Sequence, residues 1–285
     1  MAKKRLIVNN LIFVADQHCG CRLGLCPPKA TKLDDGGTYR PSPFQRKLWR
    51  LWREFWDEWV PKVCRGDPYA VCQLGDAVDG VHHGSVTQVS HNLVDQKRIA
   101  KKCLEPVVAA CEGRFYMVRG TEAHVGPSAQ LEEELAESLG AIPDAEGRYA
   151  RYELWKLLGP GRPKDCALVH AMHHIGTTGS SHYESTAVHK ELVEAFQESG
   201  RWGNRAPDFV VRAHRHRYLH TEIATEGGRA VSIVLPGWQG KTPFTYRIPG
   251  ARQSMPQFGG IMVRCGDEER YMRQRVWSLQ RPRAE

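Results

Sequence analysis

The sequence predicts an α/β fold with a mixed β-sheet. Two observations carry this. Strand-like apolar runs alternate with helical periodicity early in the chain, and strands dominate late. A third observation points to the site: five of the apolar runs end in turns bearing Asp or His. The 285 residues exceed the usual size of about 150 residues per domain, but α/β folds often run this long as one unit. No repeat of solenoid length and no low-complexity linker divides the chain, so one domain over 1–285 is expected.

Taken in order, residues 5–15 read as a buried strand ending at Asp16. Residues 19–44 are rich in Gly, Pro and Lys and read as a long loop. A helix is expected from Pro43 to Val60, where Leu48, Leu51, Trp52, Phe55, Trp56 and Trp59 recur at helical spacing. Such a Trp-rich stripe is either a base-stacking platform or a core face, and the core face is the simpler reading. A strand at 69–74 leads into Gly75-Asp76, a helix covers 91–112, and a strand at 114–118 ends at Arg119-Gly120. A Glu-rich helix covers 128–139, and 148–158 is extended. A strand at 166–172 runs into His173-His174, and a helix spans 184–199. The run 208–212 leads into Ala213-His214-Arg215-His216, and further strands are expected at 217–224, 229–235 and 260–265.

Composition narrows the function classes. Charged residues make up 25% and hydrophobic residues 41%, as in an ordinary globular protein. No segment approaches the ~18 apolar residues needed to span a bilayer. The basic start lacks a small-residue cleavage site after its apolar run, so a cytoplasmic protein with no membrane partner is expected. Lys plus Arg is 40 against 32 Asp plus Glu, a formal charge of +8. That balance suits a polyanionic partner such as DNA or RNA, although it also suits plain solubility. Nine Cys is an odd number, and Cys19, Cys21 and Cys26 lack a matching pair elsewhere, so reduced structural thiols are expected rather than a zinc finger.

The chemistry lies at the strand ends. They carry Asp16-Gln17-His18, Gly75-Asp76 with Asp79 close behind, Gly120-Thr121-Glu122-Ala123-His124, the cluster His170, His173 and His174, and His214-Arg215-His216. In open α/β sheets, ligands gather outside the carboxyl ends of strands, so five such ends are expected to converge on one crevice. Imidazole and carboxylate together suit divalent Mn, Fe, Zn or Ni. A carboxylate can bridge two ions, and two ions roughly 3.5–4 Å apart clamp a phosphate and activate water. Singly, each cluster is weak; an Asp-x-His is more often a cap or a surface pair. Joint order gives the pattern its weight.

In that order the chain resembles the calcineurin-like metallophosphoesterase superfamily. Its signature runs Asp-x-His, Gly-Asp, Gly-Asn-His-Asp/Glu, His, Gly-His-x-His. Here Asp16/His18, Gly75-Asp76, a variant at Gly120 to His124, His173 and Ala213-His214-x-His216 match it. The resemblance spans 16–216 and implies a central β-sandwich of mixed sheets flanked by helices, with two divalent ions at the strand ends. It implies that Asp16, His18 and His216 hold one ion, Asp76 bridges, and His173 and His214 hold the other; His170 and His174 compete with His173. Two departures stand out. Ala213 replaces a Gly, and Thr121, Glu122 and Ala123 intervene where the family places an Asn ligand directly before its catalytic His. Thr121, Glu122 or a water then completes the second ion's shell, and His124 is the general acid or a ligand. Asp79, His82 and His83 orient ligands or meet substrate; the plainer reading makes Asp79 a turn residue and leaves His82 and His83 exposed.

The function expected is metal-dependent phosphoester hydrolysis, of nucleic-acid phosphodiesters first. Small phosphoesters, nucleotides or phosphoproteins are the alternative substrates. A metal-binding nucleic-acid module without turnover is the third reading.

Overall fold

The computed structural model describes residues 7–176, 181–248, 252, 254–266 and 269–280. Elements follow in the order β1 (Asn10–Val14), β2 (Thr31–Lys32), β3 (Thr38–Tyr39), α1 (Pro43–Glu54), α2 (Val60–Cys64), β4 (Tyr69–Leu74), α3 (Leu93–Ala110), β5 (Phe115–Val118), α4 (Glu122–Val125) and α5 (Gln130–Ser138). Then come β6 (Ala150–Arg151), β7 (Leu154–Leu158), β8 (Ala167–Ala171), α6 (Glu184–Trp202), β9 (Phe209–Arg212), β10 (Leu219–Thr225), β11 (Gly228–Val234), β12 (Phe258–Gly266) and β13 (Glu269–Trp277).

Two mixed sheets form a sandwich. One has the order β13-β12-β1-β4-β5-β6 and the other β10-β11-β9-β8-β7. β1, β4, β5 and β6 run parallel, as do β8, β9 and β11. Side chains alternate across a strand, and the cores follow. Leu11 and Phe13 of β1 join Cys72, Val118 and Ile261 in a core shared with Val169, Val211 and Ile233 of the other sheet. Ile12 and Val14 face the opposite way, against Leu48 and Trp52 of α1, Ile99 and Leu104 of α3 and Leu135 of α5. On the far side of the second sheet, Val188 and Leu192 of α6 cover Val234, Val210 and Ala230. The layers are helix, sheet, sheet, helix.

The Trp-rich stripe is core. Trp52 is 1% exposed, and its ring meets Trp238 edge-on at 4.8 Å. Ser42 and Gln45 form a capping box that starts α1. A π-helical turn at Phe55–Trp59 carries the chain on into α2, which explains why the helix runs past Val60. The segment read as a loop contains the small β2–β3 hairpin. The first strand is shorter than expected, and residues 5 and 6 of that expectation lie outside the described residues. Strand β13 went unread; Arg270, Arg273 and Arg275 break its apolar pattern because it is a sheet edge. All nine cysteines are free and buried, Cys19, Cys21 and Cys26 among them. Among the described residues no helix is long and apolar enough to cross a membrane.

Candidate metal centre

The carboxyl ends of β1, β4 and β5 in one sheet, and of β8 and β9 in the other, open at the same edge of the sandwich. Backbone hydrogen bonds lock the turns together: Asp16 N–H donates to Gly75 O at 2.9 Å, His18 N–H to Asp76 O at 3.0 Å, and Ala213 N–H to His173 O at 2.9 Å. The turns are strained. Asp16, His18, Asp76, His214 and His216 all have positive φ, from 43° to 74°, a conformation that costs of order 1 kcal/mol or more per non-Gly residue and gathers at functional sites. Two glycines permit the closeness. A Cβ at Gly75 would overlap His173 Nδ1, and one at Gly120 would overlap the Asp76 carboxylate.

The side chains form two triads, Asp16/His18/His216 and Asp76/His173/His214, each with its ligand atoms within 4.8 Å of one another. In the first, His216 Nε2 lies 3.2 Å from Asp16 Oδ1 and 3.2 Å from His18 Nε2. In the second, His173 Nε2 lies 3.1 Å from Asp76 Oδ2. Asp76 Oδ2 is also 4.0 Å from His18 Nε2, so this carboxylate faces both triads. Thr121 completes the second. Its N–H donates to Asp76 Oδ1 at 2.7 Å. Its Oγ1 sits 3.2 Å from Asp76 Oδ2, 3.3 Å from His173 Nε2 and 3.1 Å from His214 Nδ1.

This donor set fits divalent cations. His173 Nδ1–H donates to Leu74 O at 2.7 Å, which aims Nε2 at the Asp76 carboxylate, 3.1 Å away. His18 and His216 likewise turn Nε2 toward Nε2, and Asp16 Oδ1 is buried with no hydrogen-bond partner. Ring nitrogens and carboxylate oxygens crowded this closely need positive charge among them, which protons supply in the bare site and a metal ion can replace. The electrostatics agree. Burial would push His173 down, yet Asp76 lifts it to about 10. Burial would raise Asp76, yet His173 first and then His124 hold it well below the usual carboxylate range. The centre is built around positive charge, and nitrogen and oxygen donors without thiolate suit Mn, Fe, Zn or Ni.

A further ring of groups fixes these donors. Asp79 accepts from Gln88 Nε2 at 2.8 Å and Gln239 Nε2 at 3.1 Å, and its Oδ1 lies 3.3 Å from His18 Nδ1. A carboxylate beside one nitrogen of an imidazole orients the whole ring. Glu132 is fully buried and accepts from Ala77 N–H at 2.8 Å and Gly120 N–H at 2.6 Å. It ties the Asp76 turn to the Thr121 turn; burial first, then Asp76, raises its carboxyl to about 7.

The remaining expected residues sort by position. His124 Nδ1–H donates to Asp79 O at 2.7 Å, and its ring meets that of His18 edge-on at 4.5 Å. With His18 and Asp79 it forms a third close grouping. Burial depresses it to about 4. His174 is exposed, with its ring 5.0 Å from His173 and 5.5 Å from His214. His170 lies away from the triads, paired with Glu153 at 2.9 Å. His82 touches the His124 ring at 4.2 Å, and His83 stacks on Phe244 at 4.5 Å. Glu122 is exposed at the start of α4, outside the three groupings.

Glu132, Gln88 and Gln239 escaped the sequence reading. For Glu132 a signal existed. It sits at i, i+3, i+4 and i+7 with Leu135, Ala136 and Leu139, so it is an acid on the apolar face of a helix. The two glutamines carried none.

Motif order and placement now agree: five motifs, five strand ends, one edge of an αββα sandwich. The chain resembles the calcineurin-like metallophosphoesterase superfamily in both. No family model matches it, and no curated protein does. Among solved structures it is similar to vacuolar protein sorting 29 from Cryptosporidium parvum, at TM-score 0.34 and 13% identity over 96% of this chain and 100% of that one. It is similar to a predicted phosphoesterase from Streptococcus pneumoniae, at 0.32 and 8% over 95% and 99%. It is also similar to the sulfate thiohydrolase SoxB from Thermus thermophilus, at 0.41 and 12% over 98% and 58%. The metallophosphoesterase reading rests on this chain's own strands and donors.

Proposed function

We propose that the chain is a metal-dependent phosphoesterase, a single domain over 1–285, that hydrolyses phosphodiesters of nucleic acid. The observation that carries this is Asp76, one carboxylate facing two donor triads. In this reading Asp16, His18 and His216 hold one divalent ion. His173, His214 and the Thr121 hydroxyl hold the other, and Asp76 bridges. Thr121 stands in for the family's Asn, because its oxygen already sits among the same three partners.

Two bound cations would activate a water and offset charge on the phosphoryl oxygens. The chain's residues do the rest. Asp79, held by its two glutamine donors, lies 3.3 Å from His18 Nδ1 and would orient the ring so that Nε2, beside His216 Nε2, could hold an ion. Glu132 keeps the Asp76 and Thr121 turns in register. His124 has Nδ1–H committed to Asp79 O, so proton transfer to a leaving oxygen runs through Nε2. Burial favours its neutral form; a phosphate anion beside it favours the charged form and primes it as an acid.

Charge and shape support a nucleic-acid substrate. The chain carries +8, and Arg215 stands beside His216; the neighbouring Arg217 is paired with Glu184 at 3.1 Å. His83 and Phe244, stacked nearly parallel, are exposed and offer a flat face for a base. The test compares single- and double-stranded DNA and RNA with bis(p-nitrophenyl) phosphate and a nucleoside monophosphate, at rising salt. Nucleic-acid binding should weaken steeply with salt, as counterions are released. Rapid cleavage of the small diester, with no binding to any polynucleotide, would move the assignment to small phosphoesters.

A further inference from the structure

A second cavity lies away from the metal centre, between α6 and the outer face of the second sheet. Its volume is about 540 Å³, within the roughly 300–1,000 Å³ of small-molecule sites. Strand alternation builds it. Val169, Ala171 and Val211 point into the sandwich, so His170 and Arg212 point out beneath α6. Two aromatic rings line it near solvent, Trp155 at 47% and Trp202 at 74% exposure. Such exposure is unusual for Trp unless a partner covers it.

The polar lining selects a charge. His170 is 7% exposed. Its Nε2–H donates to Glu153 at 2.9 Å, so the lone pair is on Nδ1, which is buried with no partner. Burial, with Arg212 next, depresses this ring to about 4 and keeps it neutral. Arg212 is already paired with Glu191 at 2.8 Å, and Arg205 with Asp208 at 2.6 Å. Glu194 adds another carboxylate to the wall, and Glu198 accepts from Trp202 Nε1 at 3.0 Å. The cavity offers the exposed indole of Trp202 and carboxylates, while each of its two arginines is already paired with a carboxylate. A cation finds a π face and a charge partner there, and an anion finds no unpaired arginine.

We propose that this cavity is a binding site for a small alkylammonium ion, of the size of a linear diamine. The ammonium group sits over the Trp202 face and is balanced by Glu194. This assignment stands apart from the metal chemistry, so binding is expected with or without metal.

Calorimetry and tryptophan fluorescence on the full chain would test it, with 1,4-diaminobutane as probe and n-butanol and n-butylguanidine as controls. Saturable one-to-one binding of the diamine is expected, with no binding of butanol. Trp202→Ala and Glu194→Gln both alter exposed side chains, and each should weaken binding by roughly three- to tenfold. Three results would overturn the proposal: no saturation up to ~10 mM diamine, equal binding of butanol, or undiminished binding in both variants. Tighter binding of n-butylguanidine would replace the ammonium by a guanidinium ligand and overturn the stated class.

Discussion

His173 Nε2 lies 3.1 Å from Asp76 Oδ2, while its other ring nitrogen donates to the Leu74 carbonyl at 2.7 Å. The second bond fixes Nδ1 as a donor and aims Nε2 at the carboxylate, which favours a proton there. A metal ion takes the place of that proton, and the same carboxylate reaches toward His18.

Asp76→Asn keeps the shape and removes the shared charge. It should lower kcat by at least about two orders of magnitude and reduce bound metal, because metal ligands matter more than the outer groups whose loss costs 10–100-fold. Circular dichroism should show the fold retained. Activity within a few fold, at unchanged metal content, would remove Asp76 from the bridging role.

Thr121 gives a sharper test of the second ion's shell. Thr121→Val deletes only the hydroxyl among Asp76, His173 and His214. It should weaken the second ion by roughly 10–100-fold, read by chelator competition, with the first ion unaffected. Thr121→Asn should restore the affinity. Equal affinity in the Val variant would leave the hydroxyl as a turn-stabilising group.

His124 is tested by leaving group. His124→Asn should slow esters with poor leaving groups far more than an activated nitrophenyl ester, which needs little protonation. Equal slowing of both, with loss of an ion, would make His124 a ligand and fit its grouping with His18 and Asp79. No change in either would make it structural.

His170 sets a pH dependence of stability. Its folded value is about 4, below the ordinary 6.5, because burial and then Arg212 disfavour its charged form against Glu153 and Glu191. Between those values the unfolded chain binds more protons than the folded one. Its contribution is therefore complete above pH 6.5 and lost as pH falls toward 4. The melting temperature of His170→Gln should fall less steeply than wild type over that window. Parallel slopes would show that His170 does not set it.

Much of this architecture was legible because it is local. Alternation in Leu11 to Val14 and helical spacing in Leu48 to Trp59 reflect burial against one neighbour at a time. The strand-end clusters were legible because their residues follow apolar runs directly. Thr121 and Glu132 were not settled, since their roles depend on which turn lies opposite, a long-range property of the folded sheet. Among His170, His173 and His174, strand phase decides the positions: His170 points out beneath α6, and His173 sits at the strand end beside Asp76. Strand β13 was hidden because edge strands carry charge on a face that in a central strand would be apolar.

The most direct test of the central claim is a metal titration of the chelator-treated protein, followed by nitrophenolate release from bis(p-nitrophenyl) phosphate. Activity should be absent at the start, rise as Mn²⁺ is added, and level off near two equivalents per chain. Hydrolysis undiminished by chelation, or two ions bound with no hydrolysis of any phosphoester, would contradict it.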